Sequence, residues 1–140
     1  MRAYELTEVQ WAVGKDSQHA TRPHQARQKN KVYDDYELLW VNIEDVFANT
    51  ERDFTLDVKD PKGGVNAIGD RVQRAKSHWG GGGHMDPSEL GVSDYSKKVY
   101  FSDGRHRMVA AYQMGQEYAP ALVPRGEVEA LKNLVRIKNQ

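Results

Sequence analysis

The stretch FSDGRHRMVAAYQMG, residues 101–115, decides how this chain is read. The residues just before and into it, KKVYFS (97–102), suit a strand, and Asp103-Gly104 is a turn dipeptide. Residues 107–114 are helix formers, and Gly115 stands where a C-terminal cap belongs. The order is therefore strand, tight turn, helix. Gly104 lets the backbone turn sharply and come close to a ligand with no Cβ in the way. The first amides of a helix lack internal partners, and its dipole favours an anion there. Arg105, His106 and Arg107 crowd this same end, where cations are unfavourable unless something negative compensates them. A phosphate group does so: the guanidinium fork matches its oxygens. His106 can donate a hydrogen bond or titrate near neutral pH. The same residues also suit a surface turn with solvated arginines, Asp103 pairing with one of them.

Working outward, residues 119–123 form a short apolar strand closed by Pro124, and residues 127–137 place Val128, Leu131, Leu134 and Val135 on one face of a final helix. On the other side, DPSE (86–89) reads as a turn and the glycines 80–83 as a flexible loop that ends a helix. That helix is marked from Val65 by an apolar stripe at Val65, Ile68, Val72, Ala75 and Trp79, with Arg71, Arg74 and Lys76 off the stripe. Gly69 weakens it slightly. Residues 52–61 are ambiguous, with an alternation at Phe54, Leu56 and Val58 that suits a short edge strand. YELLWVNI (36–43) reads as a strand followed by a short helical turn at 44–48. Residues 4–13 end in a strand-like alternation, and residues 14–31 read as a long polar loop. The mixture predicts an α+β fold with a small mixed sheet: one domain over residues 32–140, preceded by an N-terminal strand and loop at 1–31.

Composition narrows the chemistry. The 140 residues fit one domain, and 39% hydrophobic with 29% charged residues is the balance of a folded chain. The absence of cysteine removes disulfides, zinc-thiolate sites and thiol nucleophiles. No apolar run is long enough to cross a bilayer, and MRAYELTEVQ lacks the apolar core of a signal peptide, so no membrane association and a cytoplasmic location are expected. The net charge of zero speaks against a uniformly basic surface. The charge is nevertheless segregated: residues 33–61 are acid-rich, with only Arg52 and Lys59 against them, while residues 62–79 are basic.

A strand, then GRHR, an Ala-containing helix, Gly115 and a short strand ending in Pro124 resembles the nucleotide-binding segment of the ParB/sulfiredoxin superfamily. LWVNIEDV (39–46) is similar to the strand and short helix that open such domains. The resemblance spans roughly residues 36–134. It implies a small mixed-sheet fold in which the loop holds a nucleotide phosphate. Family members include CTP-binding partition proteins, ATP-using sulfinic-acid reductases, a free-serine kinase and plasmid-encoded fertility-inhibition proteins with nuclease and ATPase activity, so fold alone does not fix function. The reductase chemistry needs a cysteine where Arg105 stands, and there is none. The length leaves no room for the added DNA-binding and dimerisation segments of the partition proteins. The fertility-inhibition or nuclease-like members are the closest in style.

Site expectations follow. Gly104, Arg105, His106, Arg107 and Arg71 are the phosphate-binding candidates. His106 is the acid/base candidate, and Asp103 orients a cation or binds metal. Glu44 and Asp45 are candidates for a general base or for Mg²⁺ accompanying a nucleoside triphosphate, though acids after a strand more often cap a helix. Asn66 serves as a helix cap or a ligand contact. His78, His84 and His106 fit no zinc spacing, so no metal site of the protein's own is expected. Trp11, Trp40 and Trp79 suit core or interface positions. The leading expectation is a phosphohydrolase, an ATPase or nuclease of plasmid or phage origin, acting on ATP, CTP or DNA. The rivals are a non-catalytic inhibitor or adaptor that works by protein contact, and a DNA-binding accessory domain.

Overall fold

Branched and aromatic side chains in YELLWVN favour an extended backbone, and they form β1, Tyr36–Asn42. The computed structural model describes residues 9–11, 35–83 and 85–138. Asn42 turns the strand into a helix: its side-chain oxygen accepts from the Asp45 amide at 3.0 Å and caps α1, Ile43–Ala48. There follow α2 (Arg71–Gly80), β2 (Ser88–Val92), β3 (Val99–Asp103), α3 (Arg105–Gln113) and β4 (Tyr118–Pro124). A 3₁₀ turn, Arg125–Glu127, leads into α4 (Val128–Lys132), and β5 (Ile137–Lys138) closes the described chain.

The five strands make one mixed sheet in the order β3-β2-β4-β1-β5. β2 and β4 run parallel, and the other neighbours are antiparallel. A parallel pair needs a crossover, here the β3–α3 segment between β2 and β4. This is a small α+β domain with a mixed sheet, as expected. Ala110 and Ala111 are fully buried on α3 and let it lie close to α2, β2 and β4. Val41, Ile43, Leu90, Met108 and Trp79 complete the core. Trp11 packs edge-on to Trp79 at 5.1 Å, and the Trp79 indole donates to the Gln10 carbonyl, so both tryptophans are core residues, while Trp40 is half-buried. No described helix is long and apolar enough to cross a membrane.

Four sequence expectations change. The segment 86–89 was expected as a turn, but β2 begins at Ser88 and lies at the heart of the sheet. It is buried along its whole length and so shows no alternation to read. The helix expected from Val65 begins only at Arg71. Val65 and Ile68 are exposed, Gly69 takes φ +55°, and the Ile68 amide donates to a side chain, His106 Nε2, at 2.9 Å. Residues 52–61 form turns and no strand. The final helix stops at Lys132, and Ile137 and Lys138 join the sheet beside Val41 and Trp40. Of the expected strand at 4–13, only residues 9–11 are described, with Trp11 bridging Met85. The rest of it, the loop at 14–31 and His84 lie outside the described residues.

Glu127 ties α4 to β2 and β3. One carboxylate oxygen accepts from the Val92 amide at 2.9 Å and the Tyr100 hydroxyl at 2.8 Å. Burial first, then this carboxylate, pushes the Tyr100 phenol up. A Cβ at Gly91 would collide with that oxygen and with the Tyr100 hydroxyl. Gly91→Ala should therefore break one of these bonds and cost about 1–3 kcal/mol in chemical denaturation. Gly126→Ala, which faces open space, is the control and should be near neutral.

Candidate functional site

β3 delivers the chain to Gly104, which sits at φ +89°, ψ +19° and is the residue from which α3 starts. Only glycine fits: a Cβ there would lie 2.7 Å from Ser88 Oγ and 3.0 Å from Ser88 Cα. The Ser88 hydroxyl donates to the Gly104 carbonyl at 2.9 Å, fixing the turn against β2. No side chain caps this end of α3 and its first turn carries no acid. Among the described residues the first amides of α3 have no side-chain cap, and the one adjacent carboxylate, Asp103, leans on Arg107.

The three basic residues diverge. Arg105 donates through its two terminal nitrogens to the carbonyls of Phe54 and Asn66, the latter at 3.0 Å, and so holds the loop 52–66 to α3. Asn66 makes its own loop contacts, donating to the Arg52 and Thr55 carbonyls, each at 3.0 Å. His106 is buried, and its Nε2 accepts the Ile68 amide, which places the ring proton on Nδ1. Burial, then the charges of Arg105 and Arg71, push the imidazole down to about 4. The expected titration near neutral pH is corrected accordingly: His106 is neutral there, because charging it would desolvate a cation beside two others. Arg107 donates to the Asp86 and Pro87 carbonyls at 2.8 and 3.2 Å, and lies 3.7 Å from the Asp103 carboxylate. Its Nε is buried with no hydrogen-bond partner among the described residues.

Gly104, His106 and Arg107 border a cleft of about 360 Å³ that Arg71, Arg74, His78 and Asp103 also line. Arg74 is paired with Asp70 at 2.9 Å. The exposed guanidinium of Arg71 has no ion pair or hydrogen bond among the described residues. It stands close enough to Arg105 to depress it, after burial, by charge repulsion. The structure thus brings Arg71, Asp103, Gly104, His106 and Arg107 together and turns Arg105 to the neighbouring loop.

Glu44 and Asp45 do not join them. Glu44 accepts from the Tyr112 hydroxyl, seven residues along α3 from Arg105 and so roughly 10 Å of helix rise away. Asp45 forms a fork with Arg136, Nε to Oδ2 at 2.8 Å, beside β5 at the opposite edge of the sheet from β3. That guanidinium holds the Asp45 carboxyl below its usual range. The candidacy of Glu44 or Asp45 as general base or Mg²⁺ ligand beside the loop is corrected: Tyr112 and Arg136 engage them away from Gly104. Asp103 is the sole acid lining the cleft among the described residues. Hard cations take several oxygen ligands, and the described lining of the cleft supplies one carboxylate.

Sequence reasoning missed how α3 holds the loop. Besides Arg105 and His106, Gln113 donates to the Val58 and Asp60 carbonyls at 2.9 and 2.7 Å. No protein-family model, curated protein or solved structure matches the chain.

His106 makes stability depend on pH. The unfolded imidazole takes a proton near 6.5 and the folded one near 4, so the unfolded state binds more protons in between. The contribution is complete above about 6.5 and is lost as pH falls to 4, on the order of 3 kcal/mol. Denaturant midpoints measured from pH 7 to pH 4 should fall. In His106→Gln, whose side-chain carbonyl can accept the Ile68 amide, the fall over this window should be smaller.

Proposed function

We propose that this chain is a ParB/sulfiredoxin-like protein that binds the phosphates of a nucleotide, or of a nucleic acid, where β3 turns into α3. The observation that carries the reading is the start of α3 at Gly104, uncapped among the described residues, opening onto a cleft in which Arg71 has no side-chain partner among them. Backbone amides and a free guanidinium are the groups that hold phosphate oxygens. Arg107 adds charge from one wall, and Asp103 orients it.

Binding is better supported than hydrolysis. The Nε2 lone pair of His106 is occupied and the ring is neutral, Asp45 is bound to Arg136, and Glu44 lies at the other end of α3. Asp103 is the remaining candidate to orient a water molecule in an ATPase or nuclease reaction. Mg²⁺ would arrive on the nucleotide's own phosphates. One observation favours the rival reading of a plasmid or phage adaptor acting by protein contact: Phe54, Val65 and Ile68 are all exposed on the loop that α3 holds.

Calorimetric titration with ATP, CTP and a short single-stranded DNA, each with and without Mg²⁺, decides between them. Wild type should saturate with at least one ligand, and Arg71→Glu should bind it at least roughly tenfold more weakly, a loss of about 1.4 kcal/mol. Arg71 is exposed, so the melting temperature should not move. Arg105→Ala is a poorer test because it also releases the loop. Absence of binding, or equal affinity in Arg71→Glu, would contradict the proposal.

A further inference from the structure

β1 has β4 along the whole of one edge and β5 along part of the other. The Ile43 amide donates to the Glu117 carbonyl on the β4 side at 3.0 Å, and the Asn42 amide to the Arg136 carbonyl on the β5 side at 2.9 Å. Successive residues of a strand turn their N–H and C=O to opposite edges. Trp40, Leu38 and Tyr36 therefore face the β5 side. β5 pairs with Trp40 and Val41. Among the described residues no strand lies against Leu38 and Tyr36 there. The far edge of the sheet is held differently: Val99 of β3 donates its amide to the Asn49 carbonyl at 2.8 Å and bridges Thr50.

A row of unpaired backbone groups is a template for another strand. This one borders a groove of about 760 Å³ whose other lining comes from residues 132–138 and Asp45. Leu38 and Trp40 share one face of β1; Leu38 is 37% exposed and Trp40 half-buried. Lys132 and Lys138 are exposed beside the groove, the Lys138 ammonium lying 5.9 Å from the centre of the Tyr118 ring. Arg136 and Asp45 neutralise each other, so two lysines stand against one carboxylate, Glu37. A second copy of the chain suits this edge poorly. Two-fold pairing centred on the free stretch sets Glu37 opposite its twin, and like charges directly opposite destabilise a sheet.

We propose that the free edge of β1 takes an extended, acidic segment of a partner protein as an added strand. Leu38 supplies N–H and C=O to the backbone of that segment. Its alternate apolar residues rest on Leu38 and Trp40, and its flanking carboxylates meet Lys132 and Lys138. This surface is independent of the cleft at the start of α3.

The test titrates the whole chain with three capped peptides: EETVTVEE, its basic counterpart KKTVTVKK, and EETVPVEE, whose proline removes a central amide. EETVTVEE should bind saturably by calorimetry, with amide shifts centred on residues 36–39 and Lys138. The other two should bind at least roughly tenfold more weakly. Leu38→Pro should weaken EETVTVEE by a similar factor and leave the fold intact, because proline is tolerated where a strand's N–H faces away from the sheet. Lys132→Glu, at an exposed position outside the sheet, should weaken it too and decides the matter if Leu38→Pro fails to fold. In the free protein the Leu38 amide should exchange with deuterium as fast as an unpaired one. The proposal is overturned if EETVTVEE does not bind, if either control peptide binds as tightly, or if the shifts centre on Gly104. It is also overturned if both variants keep full affinity, or if the Leu38 amide is already protected, as a second copy or the chain's own end on this edge would make it.

Discussion

The absence of a side chain at position 104 is the constraint on which the rest of this structure hangs. β2 passes so close beneath the turn that a Cβ would meet the Ser88 backbone. The Gly104 carbonyl then serves two elements at once: it takes the Ser88 hydroxyl at 2.9 Å and the Met108 amide, the first hydrogen bond of α3, at 3.1 Å. One carbonyl therefore welds the helix start to the middle of the sheet. The register of β2 on β3 shifts between Glu89 and Leu90, just after Ser88. A helix anchored this way presents its first amides in a fixed position, and fixed donors bind an anion without a reorganisation cost.

From that anchor α3 organises the irregular part of the chain. Arg105, His106 and Gln113 all spend their polar atoms on the backbone of residues 54–68. Buried or half-buried backbone groups of a loop must find partners, and α3 supplies them. The cost is electrostatic: Arg71, Arg105 and the His106 ring stand close together, and burial of the imidazole keeps it neutral. An anion bound at the helix start, as proposed, would relieve this repulsion.

How legible this was varied with the physics involved. The strand at 36–42, the short α1, the strand–turn–helix around Gly104 and the strand before Pro124 carry strong local signals, and all appear where the sequence puts them. β2 does not, because SELGV is buried on every side and its Ser88 and Glu89 look like turn residues. The apolar stripe at Val65 and Ile68 misled for a different reason: a side chain 38 residues further along the chain, His106, takes the Ile68 amide that a helix would use. Arg71, Asp103 and Gly104 line one cleft. Glu44, Asp45 and the loop-holding role of Arg105 depend on tertiary partners, Tyr112, Arg136 and the Phe54 carbonyl, that no local pattern announces.

The most direct measurement of the central claim is an amide chemical-shift map recorded while tripolyphosphate is added to the whole chain. Saturable shifts should centre on Gly104, Arg105, His106 and Arg107, with the amides of Trp40, Val41 and Ile137 at the other edge of the sheet left in place. Shifts centred on that far edge, or none at all, would contradict an anion site at the start of α3.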